Sequence, residues 1–135
     1  MRKAYFLLFA IITFVACEEP TLDLGNKAIR YFTVSSSDWK YMDDQSGLNN
    51  YYMYSFPYSK LEQYICDEGS VQAYLKSGEY QQALPIVRHH ENSRAQWTTT
   101  TDYEYRPGEI TFFVTNSDFI DERPESMTFR VVLMW

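Results

Sequence analysis

The chain predicts an all-β fold, a single small antiparallel sandwich of about six or seven strands, on three observations. Short stretches rich in β-branched and aromatic residues alternate with a period of two. Clusters of Gly, Pro, Asn, Asp and Ser separate them at close intervals. No stretch carries the 3.6-residue apolar period of a long amphipathic helix.

The first element stands outside the sandwich. Arg2 and Lys3 are followed by a nearly unbroken apolar run, Ala4 to Ala16, with Thr13 its one clearly polar member. That is the layout of a secretory leader. A membrane-spanning helix needs about 20 apolar residues, and this run stops short at Cys17, Glu18 and Glu19. Phe14-Val15-Ala16-Cys17 resembles the lipobox of bacterial lipoproteins, with Phe14 where Leu is usual. The resemblance implies that residues 1–16 are removed and that Cys17 becomes the lipid-bearing first residue. An ordinary secreted chain with a plain thiol at Cys17 is the alternative. Each buried methylene adds roughly 0.8 kcal/mol, so two or three acyl chains hold firmly where one does not.

Residues 17–27, with Pro20, Gly25 and Asn26 as breakers, read as a tether, and residues 28–135 as the domain. Ala28 to Val34 alternates and is the first expected strand. Turn chemistry at Ser35 to Asp38 and Asp43 to Asn50 flanks Trp39 and Tyr41. Tyr51 to Phe56 puts Tyr52, Tyr54 and Phe56 on one face, and Tyr58 to Cys66 is a helical turn or a short crossover. Val71, Ala73 and Leu75 mark a half-buried strand closed by Ser77-Gly78. Gln82 to Arg88 is weaker, because Pro85 removes a ladder donor and confines it to an edge or a bulge. From Gln96 to Tyr105, one face carries Trp97, Thr99, Thr101, Tyr103 and Tyr105. Arg106-Pro107-Gly108-Glu109 is a tight turn into Ile110 to Thr115. After a loop from Asn116 to Glu125, Met127 to Trp135 closes the sheet with Phe129, Val131, Leu133 and Trp135 on one side. Together these describe a sandwich of immunoglobulin-like general architecture.

Arg2 and Lys3 leave with the leader while all 18 acidic residues stay, so 119 of the 135 residues remain and the formal charge moves from −6 to −8. A surface of that sign repels nucleic acid, which is not an expected partner. Besides Cys17 the one cysteine is Cys66, so acylation leaves no disulfide to form. A lone Cys beside Tyr64 and Ile65 reads as a small buried hydrophobe.

Catalytic chemistry is hard to find. His89 and His90 are the only histidines and are adjacent, so on a strand they point to opposite faces and make poor co-ligands; a solvated loop is the simpler reading. Asp43, Asp44, Asp67, Glu68, Asp102 and Glu104 supply carboxylates, but no pair is singled out for glycoside cleavage. Asp118, Asp121 and Glu122 lack the ligand spacing and Gly of an EF-hand. The five glycines form no phosphate-cradling loop. The expectation is a non-enzyme without metal or cofactor.

The aromatic surplus, 18% of the chain, is the compositional oddity. Cross-strand Tyr and Thr ladders account for it at a few tenths to about 1 kcal/mol per pair. The functional alternative is a stacking surface for sugar rings, with Tyr52, Tyr54, Trp97, Tyr103 and Tyr105 as candidates.

The order of Asp38-Trp39, the Tyr-rich strand, Gly69-Ser70-Val71, Tyr74-Leu75, Leu84-Pro85, Pro107-Gly108, Ser117-Asp118 and Thr128-Phe129-Arg130-Val131-Val132 resembles small lipoproteins of unknown function common in Bacteroidota. The resemblance implies a sandwich exported to the outer membrane or cell surface, with no established activity. It fits an adhesion, assembly or structural module that meets the membrane through its lipid, and a protein partner or a polysaccharide through its aromatic rings.

Overall fold

The computed structural model describes residues 21–43, 45–46 and 49–135. The expected leader and Cys17 lie outside these residues. Two antiparallel five-stranded sheets pack face to face, the all-β sandwich that the alternation predicts. The strands are β1 (Leu22–Asp23), β2 (Lys27–Val34), β3 (Lys40–Met42), β4 (Tyr51–Tyr58), β5 (Ser70–Ser77), β6 (Tyr80–Ala83), β7 (Ile86–Glu91), β8 (Gln96–Arg106), β9 (Gly108–Asn116) and β10 (Met127–Met134). One sheet runs β1-β2-β10-β5-β6 and the other β3-β4-β9-β8-β7.

Among the described residues there are ten strands, against the expected six or seven. β1 falls in the span read as tether, where Leu22 pairs with Ile29 and Asp23 with Ala28. β3 lies beside Trp39, where turn chemistry hid it, and pairs Tyr41 with Tyr52. The stretch Gln82 to Arg88 is not one strand. Its first part belongs to β6 and its second to β7, in different sheets, and the cis Leu84–Pro85 peptide lies at the crossing. Pro85 thus sits outside both ladders, and both strands are edges, as its missing N–H requires. The crossover after β4 holds one short helix, α1 (Gln63–Glu68), which buries Ile65.

Inward-facing residues follow the period of two. Ala28, Phe32 and Val34 from β2 meet Phe129, Val131 and Leu133 from β10, and Ile110, Phe112 and Val114 face them from β9. The centre is the stack of Phe112 on Phe129, with ring centroids 3.9 Å apart and planes 8° apart. Burying rings of this size is the main stabilising term among the described residues, where Cys66 is a free thiol. Arg30 breaks the inward pattern. Its guanidinium lies 4.7 Å from the Phe32 ring and 5.4 Å from that of Tyr58, where cation–π attraction offsets part of its desolvation. At the β8–β9 turn Gly108 takes φ +81°, which a Cβ would disfavour, and Arg106 pairs with Glu109 at 3.0 Å across it.

Strand directions give the sandwich two ends. At the proximal end lie the start of β2, the ends of β4, β8 and β10, and α1. Gly108 N–H donates to the Leu61 carbonyl there, and Trp135 N–H to that of Asn26. At the distal end lie the start of β8, the ends of β2, β7 and β9, and the loop 117–126. β8 spans about 33 Å between them.

Candidate functional site at the distal end

The distal end is closed on one side and open on the other. On the closed side, loop 117–126 is strapped across the seam between the sheets. Trp39, 1% exposed, donates its indole N–H to the Glu125 carbonyl at 3.1 Å, and Ser36 Oγ donates to the Pro124 carbonyl. Arg123 donates to the carbonyls of Trp39 and Ser36 at 2.6 and 3.2 Å, with its guanidinium 5.5 Å from the Tyr52 ring. The Tyr52 hydroxyl donates to Asp121. Burial, then the Asp121 bond and charge, push the Tyr52 phenol up to about 12. Asp118 caps its own turn by accepting from Ile120 N–H. Among the described residues no three His, Cys, Asp or Glu side chains gather as a metal site.

On the open side, β7 and β8 pair His90 directly with Trp97, on the same face. The rings stack with centroids 5.1 Å apart and planes 16° apart. The turn that creates this register is local chemistry: Asn92 Oδ1 accepts from the N–H groups of Arg94 and Ala95, and Asn92 N–H donates to the Ala95 carbonyl. Two surface concavities share the stacked pair. One, of about 460 Å³, is also lined by Glu91, Gln96, Thr98 and Ser117. The other, of about 260 Å³, adds Asn116, Arg123 and Met127. Trp97 is half-buried, so part of its ring is available to a ligand. The surroundings offer an aromatic surface, amide and hydroxyl groups, three carboxylates (Glu91, Glu122 and Glu125) and one guanidinium. That set binds by stacking and hydrogen bonding.

The five stacking candidates do not form one platform. Tyr52 is 3% exposed and belongs to the core, and Tyr54 and Tyr103 pack against that core from the inner face. The Tyr103 hydroxyl donates to the Val71 carbonyl at 2.9 Å, across to the other sheet. Tyr105 is exposed and stacks on Tyr103, but it is eight residues from Trp97, about 26 Å along β8. Period two put these rings on one face correctly; that face is the inner one, and Trp97 alone reaches solvent at the distal end. Tyr41 against Tyr52 at 5.2 Å is a cross-strand ladder pair, and the Thr33–Thr128 hydroxyl pair at 3.0 Å is another, while Phe32, Phe56, Phe112 and Phe129 pack between the sheets.

His90 is the residue that sequence reasoning missed. Both histidines were expected in a solvated loop and lie instead in β7, pointing to opposite faces as adjacent strand residues must. Cys66 is half-buried, with its thiol pushed up by burial and then by Asp67.

On the outer face of the second sheet, Tyr51, Phe113, Asp102 and Glu104 border a shallow concavity of about 270 Å³. Burial, then the Glu104 charge, raise the Asp102 carboxyl above its ordinary value. The two carboxylates are neighbours on one strand, not partners across a groove, so they lack the opposed arrangement that glycoside cleavage uses.

Comparison with protein-family profiles, with curated proteins and with solved structures returns no match.

Proposed function

We propose that this chain is an exported, lipid-anchored, non-catalytic binding module that takes its ligand at the distal end, against Trp97 and His90. The observation that carries the reading is the stacked pair shared by two open concavities, at the end of the sandwich remote from β1. The cationic start, apolar run and Cys17 of the first seventeen residues support export and acylation. The resemblance to Bacteroidota lipoproteins supports display at the outer membrane or cell surface.

A photo-crosslinking residue at Gln96 in the full chain, expressed in its native envelope, tests the binding site. Capture of a discrete partner that Trp97→Ala abolishes in a folded protein supports it. Absence of any adduct from residue 96, together with no response to the glycans below, overturns it. Radiolabelled fatty acid tests the anchor, since equal incorporation into wild type and Cys17→Ala would remove it.

A sugar ring is the second reading, favoured by the amide and hydroxyl groups of Gln96, Asn116 and Ser117 beside the Trp97 ring. A saturable change in tryptophan fluorescence with one polysaccharide class, lost in Trp97→Ala, would select it over a protein partner.

A further inference from the structure

We propose that the proximal end is a membrane-seating surface, through which the domain rests on the bilayer that holds its acyl chains. The inference rests on the lipid-anchor reading and goes beyond it, because an anchor alone leaves the domain free to sway on its tether.

Tether length and surface chemistry coincide. Leu22, the first strand residue, is five residues from Cys17, a span of at most about 18 Å when fully extended. The sheet end carrying β1 is therefore held close to the headgroups. This end displays Leu22 (55% exposed), Leu24 (54%), Tyr64 (42%) and Met134 (41%). The backbone joins them into one region: Leu22 pairs with Ile29, Met134 with Lys27, and Leu24 N–H donates to the Lys27 carbonyl. Trp135 adds an amphipathic ring, edge-on to Tyr64 at 6.4 Å. Lys60 reaches over that ring, 4.9 Å from its centroid, with its ammonium 2.7 Å from Asp23. Aliphatic side chains flanked by Trp, Tyr and Lys match the boundary between acyl chains and headgroups.

Electrostatics sets the mode of contact. Asp23, Glu62, Asp67 and Glu68 share this end with Lys27 and Lys60, so attraction to anionic headgroups does not drive it. The contact is apolar, it suits a zwitterionic surface, and salt leaves it intact. It need not be strong, because a short tether gives the patch a high effective concentration at the bilayer.

The test uses the full acylated protein in phosphatidylcholine vesicles, with an environment-sensitive dye on Leu24→Cys or, as a control away from the proximal end, on Val87→Cys opposite the middle of β8, each with Cys66→Ala. Bromines in the acyl region should quench the dye at residue 24 roughly two-fold, since such faces sit about 5–10 Å into the boundary, and leave residue 87 unquenched. Adding Leu22→Asp should abolish the quenching at 24. A second readout keeps Cys66: amides of residues 24–26 in the wild-type chain should exchange more slowly on vesicles than in Cys17→Ala in solution. An unquenched residue 24, or equal quenching at 24 and 87, on a protein whose mass carries the acyl chains overturns the seating and leaves the anchor standing. A mass without acyl chains overturns the anchor, and the seating with it.

Discussion

The two halves of the distal end are built from the same materials and behave differently. Where loop 117–126 crosses the seam, Trp39 is enclosed and its indole N–H, the Arg123 guanidinium and the Tyr52 hydroxyl all have partners. Where the β7–β8 hairpin overhangs, Trp97 keeps an open side, and its main neighbour is a stacked histidine. Two tryptophans at one end of one sandwich thus divide the work: one is held by hydrogen bonding and complete burial, the other by a single ring contact. An aromatic residue serves the fold when a loop closes over it, and it is available to a ligand when none does.

Breaking the closed half should have the largest effect. Trp39→Ala is expected to destabilise by about 3–5 kcal/mol in chemical denaturation, as loss of a fully buried ring does. Trp97→Ala should stay within about 1 kcal/mol while removing binding; a cost matching that of Trp39→Ala would show that the pair is structural. Asp121→Ala comes next, at about 1.5–3 kcal/mol for a hydrogen bond to a charged group, with faster proteolysis within residues 117–126 as the local readout.

Alkaline pH tests the closed half without mutation. Tyr52 and Tyr58 are both pushed up to about 12 from an ordinary value of 10.0, chiefly by burial. The unfolded chain therefore ionises first as pH rises. Stability is complete below about pH 10 and should fall between pH 10 and 12, and Tyr52→Phe should flatten that fall in thermal melts. The smallest effect is expected at Asp102. Its raised carboxyl makes the ionised form unfavourable in the fold, so the penalty stands at neutral pH and lifts as pH falls through the raised value. Asp102→Asn should raise stability at neutral pH by up to about 0.5 kcal/mol, with the gain vanishing in acid.

Much of this architecture was legible in the residues. The alternation in Gln96 to Tyr105, the Pro107-Gly108 turn and the apolar side of Met127 to Trp135 located β8, β9 and β10, because period two and turn chemistry are local signals. Periodicity does not say which face a second sheet will cover. That is why Tyr52, Tyr54 and Tyr103, correctly aligned with their neighbours, turned out to face inward. Pro85 marked a break in the ladder without revealing that the chain changes sheet there, which depends on contacts with β5 on one side and β8 on the other. His90 acquires its role only through the cross-strand register with Trp97. The turn-favouring pair Asn92-Ser93 was the available clue, since a four-residue turn over 92–95, centred on Ser93-Arg94, brings residues 90 and 97 opposite each other.

The sheet change at Leu84–Pro85 also decides how the flanks meet neighbouring molecules. Each sheet has a short first edge, two residues in β1 and three in β3; β6 has four, and β7, the longest at six, carries Arg88 and Glu91. Abbreviated or charged borders make poor templates for another chain's backbone. A domain edged this way tolerates crowding, where side-by-side collisions are frequent and a long bare strand would invite polymerisation.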